Sequence, residues 1–388
     1  MQLSVIILNY NVRYFLELCV LSVQKALENI DGEIIVIDNN SSDDSCAMIK
    51  QRFPNVKLIE NTANLGFPKG NNMGVAHAKG EYICILNPDT VVAEDTFIKV
   101  LAFAKKQENI GIVGCKLIDG TGNFLPESKR GVPTPFVAFT KITGLYTLFP
   151  KTFGKYYAQH LSENETGKVD ILVGAFMFLK RDLYNEVGGF DENCFMYSDD
   201  IDLSYMVLKK GKSNYYFHET TIIHYKGEST IKDGTYMKRF QEAMNFFYKK
   251  HFKVYFLFWV FMKIGILFFS TVKMFQGTPS RSFRTKSSPE YFILVSDSDA
   301  SGEVLRDKLE NQFKKLVKRQ LITKSFAKNA KAEILFDQNN HDFKTIIKAF
   351  ETNKNKNFTF KIIPKVSDYL IGSNSSNDRG EVVTIEAF

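Results

Sequence analysis

The nine residues YICILNPDT, from Tyr82 to Thr90, join a short apolar run to a polar end. The apolar run is partly β-branched and predicts a buried strand, which ends at Asn87-Pro88 because proline cannot continue a central strand. Asp89 is therefore expected at the carboxyl end of a strand. Ligands bind at that edge of an open α/β sheet, so Asp89 is either a ligand to a metal that binds phosphates or a polar turn residue.

Three further strands are predicted before this one, at Leu3–Leu8, Glu33–Ile37 and Val56–Ile59. Between the first two, apolar residues from Leu16 to Leu27 recur at helical spacing, and Asp31-Gly32 ends that helix. Strands alternate with helices, and no hairpin signal separates them. This alternation predicts an α/β fold with a mostly parallel sheet and helices on both faces.

Polar residues follow three of these strands. Asn9 comes after the first, Asp38 after the second and Asp89 after the fourth, so they are expected to line one nucleotide pocket. Ser41 or Ser42 is expected to cap the helix that follows Asp38.

A glycine-rich turn, NLGFPKGNNMG, follows the third strand. Its glycines would allow the backbone to approach a ligand, and a helix that starts near Gly70 would offer N–H groups to an anion. No G-x-G-x-x-G or Walker A motif follows the first strand, which disfavours a dinucleotide-binding fold and a P-loop.

Composition indicates a globular protein of two or three domains, with 388 residues, 44% of them hydrophobic and 24% charged. The net charge of +7 favours an anionic surface or substrate over nucleic acid. Five scattered cysteines without C-x-x-C spacing argue for a reducing compartment and against a zinc site or disulfides. The N-terminus shows no signal-peptide pattern, so the first domain is expected in the cytosol.

The middle of the chain, from Thr121 to Gly167, contains four prolines and little periodicity. Long irregular segments of this kind are typically lids or substrate-specific surfaces. Lys129 and Arg130 lie within it, and a solvated surface is their expected environment.

Three carboxylates, Asp199, Asp200 and Asp202, stand at the start of a predicted helix. One or two satisfy the helix dipole, and the three repel one another unless a cation or proton is shared. A general base with a raised pKa is therefore predicted within this cluster. Just before it, Val169–Leu179 predicts a strand that Gly174-Ala175 interrupts, which leaves room for a group to pack against the backbone.

Six segments, taken in order, resemble the inverting family 2 glycosyltransferases of the GT-A fold, and most closely their rhamnosyltransferase-like branch. The resemblance extends from about Leu3 to Thr230. The segments are VIILNYN, IIVIDNNSSDDS, NLGFPKGNNMG, ICILNPDT, LVGAFMFLKRDLYNEVGGFDENCFMYSDDIDLSYMV and IIHYKGEST.

This resemblance implies roles for individual residues. Asp38 resembles the acid that contacts the nucleotide base. Asn87-Pro88-Asp89 takes the place of a D-x-D motif whose last acid binds the metal, although Asn replaces the first acid. Asp199-Asp200 matches a catalytic acidic pair whose second member is the base, and His224 matches a histidine that completes the metal shell. The implied donor-binding set is Asn9, Asp38, Asn71, Asn87, Asp89 and Gly174.

The same resemblance implies a divalent cofactor, Mg²⁺ or Mn²⁺, held by Asp89 and His224. Such a cation neutralises the donor diphosphate as leaving group, while Asp200 takes the proton of the acceptor hydroxyl. A single displacement then inverts the anomeric configuration.

Beyond the catalytic region, Val254–Val272 is apolar apart from three residues, Lys263 among them. A central lysine and basic residues on both sides disfavour a spanning helix. An interfacial or re-entrant helix is expected, with a helix buried against the first domain as the alternative. The basic residues that flank this run are then expected to meet anionic headgroups, namely Lys249, Lys250, Lys253, Lys273 and Arg281.

A linker over Thr278–Pro289 precedes three more predicted strands, Tyr291–Val295, Ala332–Phe336 and Phe358–Ile363. Helical patterns separate them, which predicts a small three-layer α/β domain whose closing segment weakly resembles a Rossmann-like regulatory domain. The expected division is 1–245 for the catalytic domain, 246–288 for a membrane-associated helix and linker, and 289–388 for the C-terminal domain.

The resemblance implies an enzyme of bacterial surface polysaccharide assembly. It would move a rhamnose-like sugar or a hexose from a nucleotide-diphosphate donor to a lipid-linked saccharide acceptor. Its expected location is the cytoplasm, peripheral on the inner face of the membrane. The competing interpretation is a catalytically weak scaffold that organises assembly through its C-terminal domain, and the joint presence of Asp89, Asp200 and His224 favours the enzyme.

Overall fold

A computed structural model of the chain describes residues 1–134, 137, 154–194, 197–225, 234–252, 260, 289–296, 300–322, 326, 331–354, 358–374 and 380–385. Two α/β sheets account for most of these residues. The predicted membrane-associated segment, Val254–Val272, lies outside the described residues apart from Val260. Among the described helices, none is long and apolar enough to cross a membrane.

The first sheet contains nine strands. They are β1 (Leu3–Asn9), β2 (Gly32–Asp38), β3 (Lys57–Glu60), β4 (Tyr82–Leu86), β5 (Thr90–Val91), β6 (Ile110–Ile118), β7 (Gly167–Val169), β8 (Phe176–Lys180) and β9 (Ser213–His224). The helices of this region are α1 (Arg13–Leu27), α2 (Ser45–Arg52), α3 (Gly66–Ala76), α4 (Thr96–Lys105), α5 (Arg181–Glu186), α6 (Asp199–Lys209) and α7 (Gly234–His251).

The four predicted N-terminal strands form a parallel half-sheet in the order β3-β2-β1-β4. The other half is mixed: β8 is antiparallel to β4 and β6, whereas β9 is parallel to β6. Strand β6 has no counterpart among the predicted strands. In the register of β1 and β2, Asn9 lies opposite Asp38, so the two polar strand ends meet as expected.

Helices cover both faces of this sheet because successive residues of a strand point to opposite sides. Val5 of β1 belongs to the same core as Leu16 of α1. Its neighbour Ile6 belongs to a second core with Val75 of α3. All four side chains are at least 96% buried, and each contributes roughly 1.5–3 kcal/mol through burial.

The second sheet has six strands in the order β11-β10-β12-β13-β14-β15. They are β10 (Tyr291–Val295), β11 (Val317–Gln320), β12 (Ala332–Asp337), β13 (Thr359–Ile363), β14 (Tyr369–Gly372) and β15 (Glu381–Thr384), with helices α8 (Ala300–Phe313) and α9 (Phe343–Asn353). Leu309 of α8 belongs to one core and Phe350 of α9 to another, which gives the predicted three layers. The antiparallel strands β14 and β15 were not predicted.

The two sheets are joined by a shared hydrophobic core. Phe343 and Phe350 of α9 lie in the same cluster as Phe15 of α1, Val91 of β5 and Tyr225 at the end of β9. Polar contacts surround it: Glu94 accepts the N–H groups of Phe343 and Lys344 at 2.8 and 2.9 Å, at the start of α9. The C-terminal sheet therefore packs on the strands that flank Asp89 and His224.

Candidate active site

The carboxylate of Asp38 is held in place at the carboxyl edge of the first sheet. Asn9 donates its Nδ2–H to Asp38 Oδ1 at 2.7 Å, and Ser41 donates its hydroxyl to the same oxygen at 2.6 Å. The backbone N–H of Ser41 binds Oδ2 at 2.8 Å. Neither Ser41 nor Ser42 caps α2, which begins after Asp44 without a side-chain cap, so that expectation was wrong. The serine orients Asp38 instead.

Two buried amide oxygens at this edge have no partner within the described ranges. These are Oδ1 of Asn9 and Oδ1 of Asn71, on side chains that are fully buried. The Nδ2 atom of Asn71 donates to Phe67 O at 2.9 Å within α3. A buried amide oxygen without a partner is costly, so these two atoms are candidates to accept a ligand donor.

The glycine-rich turn serves packing as much as ligand approach. Helix α3 starts at Gly66, four residues before the expected Gly70, and Gly66 has φ of 80°, which favours glycine. A Cβ at Gly70 would lie 2.4 Å from Leu8, so Gly70 allows α3 to lie directly on β1.

Asp89 and His224 come together through the pairing of β5 with β9, in which Thr90 lies opposite His224. Asp89 Oδ1 is 3.4 Å from His224 Nε2, and Asn87 Nδ2 is 3.4 Å from the same nitrogen. Both the aspartate and histidine side chains are more than 90% buried. The N–H of Tyr225 also donates to the backbone oxygen of Asp89 at 3.0 Å, which fixes the two strand ends relative to each other.

This pair fits a cation that takes most of its ligands from elsewhere. A carboxylate oxygen and an imidazole nitrogen 3.4 Å apart can bind one ion together, and both are ligands that Mn²⁺ accepts. Nowhere in the described part of the chain do three His, Cys, Asp or Glu side chains gather as a metal site. Two protein ligands suffice for Mg²⁺ bound mainly through substrate phosphates and water.

Asp200 lies at the start of α6 and is held through one oxygen. Arg130 Nη2 lies 2.6 Å from Oδ2, and the backbone N–H of Gly174 donates to the same atom at 3.0 Å. Among the described residues, Oδ1 has no hydrogen-bond partner, and the side chain is 12% exposed. The sequence predicted that some group packs against the backbone at Gly174, and in the structure this group is Asp200. A Cβ at position 174 would lie 3.4 Å from the Cβ of Asp200.

Asp199 is the member of this pair with a perturbed titration. Its pKa is raised from an ordinary 3.8 to about 7, first by burial and then by the negative charge of Asp200, while Arg130 opposes both effects. A raised pKa in the acidic cluster was predicted, and it falls on Asp199. At neutral pH, protonation of Asp199 limits the repulsion that it exerts on Asp200.

The third carboxylate has a structural explanation. Asp202 is 2% exposed and lies 2.8 Å from Lys250 Nζ and 2.6 Å from His251 Nε2, both at the end of α7. Lys250 also pairs with Asp191 at 2.7 Å. The expectation that Lys250 meets lipid headgroups is therefore not supported, because its charge is already paired within the protein.

Lys129 and Arg130 lie in an environment that the sequence did not predict. Both were expected on a solvated surface, but Lys129 is 5% exposed and donates to the carbonyls of Tyr157, Ala158 and Leu161. The side chain of Arg130 is 11% exposed. Burial would lower the pKa of Arg130, but the carboxylate of Asp200 overrides this and raises it. Two adjacent cations in an irregular segment give no periodic signal from which to predict burial.

Comparison with known proteins finds similarity to glycosyltransferases. Residues 4–188 match the sequence profile of Glycosyl transferase family 2. The N-acetylglucosaminyl-diphospho-decaprenol L-rhamnosyltransferase of Mycobacterium tuberculosis is 28% identical over 243 residues, which cover 60% of this chain and 78% of that protein. The rhamnosyltransferase WbbL of Escherichia coli K12 is 27% identical over 217 residues, which cover 52% of this chain and 78% of the relative.

A solved structure is also similar. The mannosyltransferase PcManGT from Pyrobaculum calidifontis, in complex with GDP-Man and Mn²⁺, superposes with a TM-score of 0.45 at 18% identity. The match covers 63% of this chain and 62% of the length of that protein. The profile match includes the six donor-set residues from Asn9 to Gly174, whereas Asp199, Asp200 and His224 lie beyond its end at residue 188.

Proposed function

Since this chain belongs to glycosyl transferase family 2 through residues 4–188 and resembles its rhamnosyltransferases, we propose that it transfers a sugar from a nucleotide-diphosphate donor to a lipid-linked saccharide acceptor. The sugar is a rhamnose-like deoxyhexose or a hexose, and the process is the assembly of a bacterial surface polysaccharide. The observation that supports this most strongly is the state of Asp200, whose Oδ2 is held by two donors while Oδ1 has no hydrogen-bond partner among the described residues.

The donor nucleotide is proposed to bind at the ends of β1, β2 and α3. Asp38 already has both oxygens oriented by Asn9 and Ser41, and an oriented carboxylate accepts well from a base N–H. The Oδ1 atoms of Asn9 and Asn71, which have no partner among the described residues, supply two further acceptors in the donor set. A nucleotide that donates to these atoms would satisfy groups that are otherwise buried without a partner.

A divalent cation, Mg²⁺ or Mn²⁺, is proposed to bind Asp89 and His224, with Asn87 beside them. When bound, it supplies positive charge that stabilises the diphosphate leaving group. Because Asn87 replaces the first acid of the usual motif, Asp89 is the one carboxylate expected to hold this ion.

Asp200 is proposed to act as the general base through Oδ1. It accepts the proton of the acceptor hydroxyl while that oxygen bonds to the anomeric carbon and the bond from that carbon to the diphosphate oxygen breaks. One displacement of this kind inverts the anomeric configuration. Asp199, with its raised pKa, keeps the net negative charge beside Asp200 small below about pH 7.

The acceptor is proposed to be a saccharide on a lipid diphosphate at the cytoplasmic face of the membrane. The name of the Mycobacterium relative specifies such an acceptor, and this chain covers 78% of that relative's length. The apolar run Val254–Val272 would then bring the catalytic domain to the membrane surface, with both α/β domains on the cytoplasmic side.

Thermal unfolding of the purified protein with a panel of nucleotide-diphosphate sugars tests this proposal. One nucleotide sugar should raise the melting temperature, more strongly with Mn²⁺ or Mg²⁺ than with EDTA, and should be hydrolysed slowly only with the metal. The scaffold interpretation instead requires that no nucleotide sugar stabilises the protein and that none is hydrolysed under any of these conditions.

A further inference from the structure

Two donors from separate elements fix one oxygen of Asp200. The Nη2 group of Arg130, within the irregular segment from Thr121 to Gly167, lies 2.6 Å from Oδ2, and the N–H of Gly174, in the turn before β8, donates to the same oxygen at 3.0 Å. With only one of these two hydrogen bonds, the carboxylate could still rotate about that bond. Together they define one orientation of the carboxylate plane, and they direct Oδ1 away from both donors.

Arg130 is itself held on three sides. Its backbone N–H donates to Ile171 O at 2.9 Å, and Ile171 N–H donates to Arg130 O at the same distance. Its Nη2 group also donates to Leu172 O at 3.1 Å. The preceding residue, Lys129, binds three backbone carbonyls. The guanidinium thus occupies its place before any substrate binds, so that no ordering is needed at the moment of reaction.

The position of the charge also matters. Besides Asp200, Tyr156 and Glu127 interact electrostatically with the Arg130 guanidinium. Asp199, on the same helix as Asp200, interacts with both Asp200 and Arg130. Arg130 is the cation that the structure places directly against this acidic pair. It therefore balances one negative charge at a site where two carboxylates adjoin.

We propose that Arg130 is a positioning residue that holds Oδ2 of Asp200 so that Oδ1 faces the acceptor hydroxyl, an inference that rests on the proposed sugar transfer. In this role Arg130 acts on the reaction through its contact with Asp200, in addition to the bond that it donates to Leu172 O.

A double-mutant cycle on the full-length protein tests this. Arg130→Gln should lower kcat roughly 100-fold, as expected for a misplaced reacting group, with the KM for the donor unchanged. Arg130→Lys keeps the charge but loses the planar fork, so it should recover part of the rate. In the Asp200→Asn background, Arg130→Gln should lower kcat no further, because groups that act as a unit are not additive.

Arg181→Gln is the matched control. Arg181 is half-buried, donates to the carbonyl of Ala78 at 2.6 Å, and lies beyond the opposite end of β8 from Gly174. Its substitution should leave kcat within about twofold of the wild-type value, since its described hydrogen bonds go to the carbonyls of Ala78 and Glu81 and not to Asp200 or its partners. Additive losses in the double variant, a donor KM that rises with Arg130→Gln, or an equal loss in Arg181→Gln would each overturn the proposal.

Thermal unfolding of the four proteins of the cycle separates this inference from the proposed function. These are the wild type, Arg130→Gln, Asp200→Asn and the double variant. A wild-type protein that transfers no sugar from any donor refutes the function. The melting temperatures then decide the contact separately: non-additive losses for Arg130→Gln and Asp200→Asn support the pairing, and additive losses refute it.

Discussion

Replacing Asp199 by Asn should stabilise the protein at high pH. The carboxyl of Asp199 has a pKa of about 7 in the fold against an ordinary 3.8, so it prefers to be protonated there. As far as this group is concerned, stability is highest below about pH 4 and falls as pH rises through about 7. A shift of this size means that ionisation of Asp199 lowers the free energy of unfolding by about 4 kcal/mol above pH 7 and by less than about 2 kcal/mol at pH 5.

Asparagine removes that penalty but also loses one acceptor. The backbone N–H groups of Asp199 and Tyr197 both favour the ionised carboxylate, and the amide can accept from one oxygen only. Losing one such bond costs about 1 kcal/mol. Asp199→Asn should therefore gain roughly 2–3 kcal/mol at pH 8 and change little at pH 5.

Thermal unfolding of wild-type and Asp199→Asn protein from pH 5 to pH 8 measures this difference. Asp202→Asn is the matched control from the same helical turn, because it breaks a buried pairing with Lys250 and His251 and should lower the melting temperature at pH 8. The prediction is refuted if Asp199→Asn melts below the wild-type protein at pH 8 and the difference is as large as it is at pH 5. That result would mean that the fold stabilises the ionised form.

Three further predictions concern the domain contact, the metal and the membrane. Glu94→Ala should lower the free energy of unfolding by about 1–2 kcal/mol in denaturant unfolding, because two N–H groups at the start of α9 lose their acceptor. Glu94→Gln should lose less than half of that, and equal losses in the two variants would show that the charge of Glu94 does not matter. Asp89→Asn and His224→Ala should each weaken Mn²⁺ binding at least about tenfold in titration calorimetry with the donor nucleotide present, while Asp119→Asn should not; unchanged affinity would place the ion elsewhere. A reporter enzyme fused after Phe388 should be active only on the cytoplasmic side, and activity on the exterior side would show that the chain crosses the membrane.

The elements whose signals are local could be predicted from the sequence. The four N-terminal strands, the start of α6 and the meeting of Asn9 with Asp38 follow from periodicity and from the rule that parallel strands end at one edge. Strand β6 and the antiparallel insertion of β8 depend on pairing between distant segments. Their order in the sheet has no signature within either segment alone.

The polar contacts of the site show the same division. Asp89, Asp200 and His224 could be chosen because each belongs to a recognisable motif. Arg130 could not, since its partner Asp200 is 70 residues away and nothing near Arg130 indicates that a carboxylate will cover it. The pairing of Asp202 with Lys250 likewise spans 48 residues, which is why a third acid in the cluster suggested a catalytic role and turned out to join α6 to α7.

Sugar transfer by wild-type and Asp200→Asn protein tests the central claim most directly. The measurement uses the nucleotide-diphosphate sugar that stabilises the protein, a lipid-diphosphate saccharide acceptor and Mn²⁺, with the anomeric configuration of the product read by NMR. We predict a product of inverted configuration, and a turnover at least roughly 100-fold lower in Asp200→Asn with donor binding unchanged. A product of retained configuration, or near-normal turnover in Asp200→Asn, would contradict it.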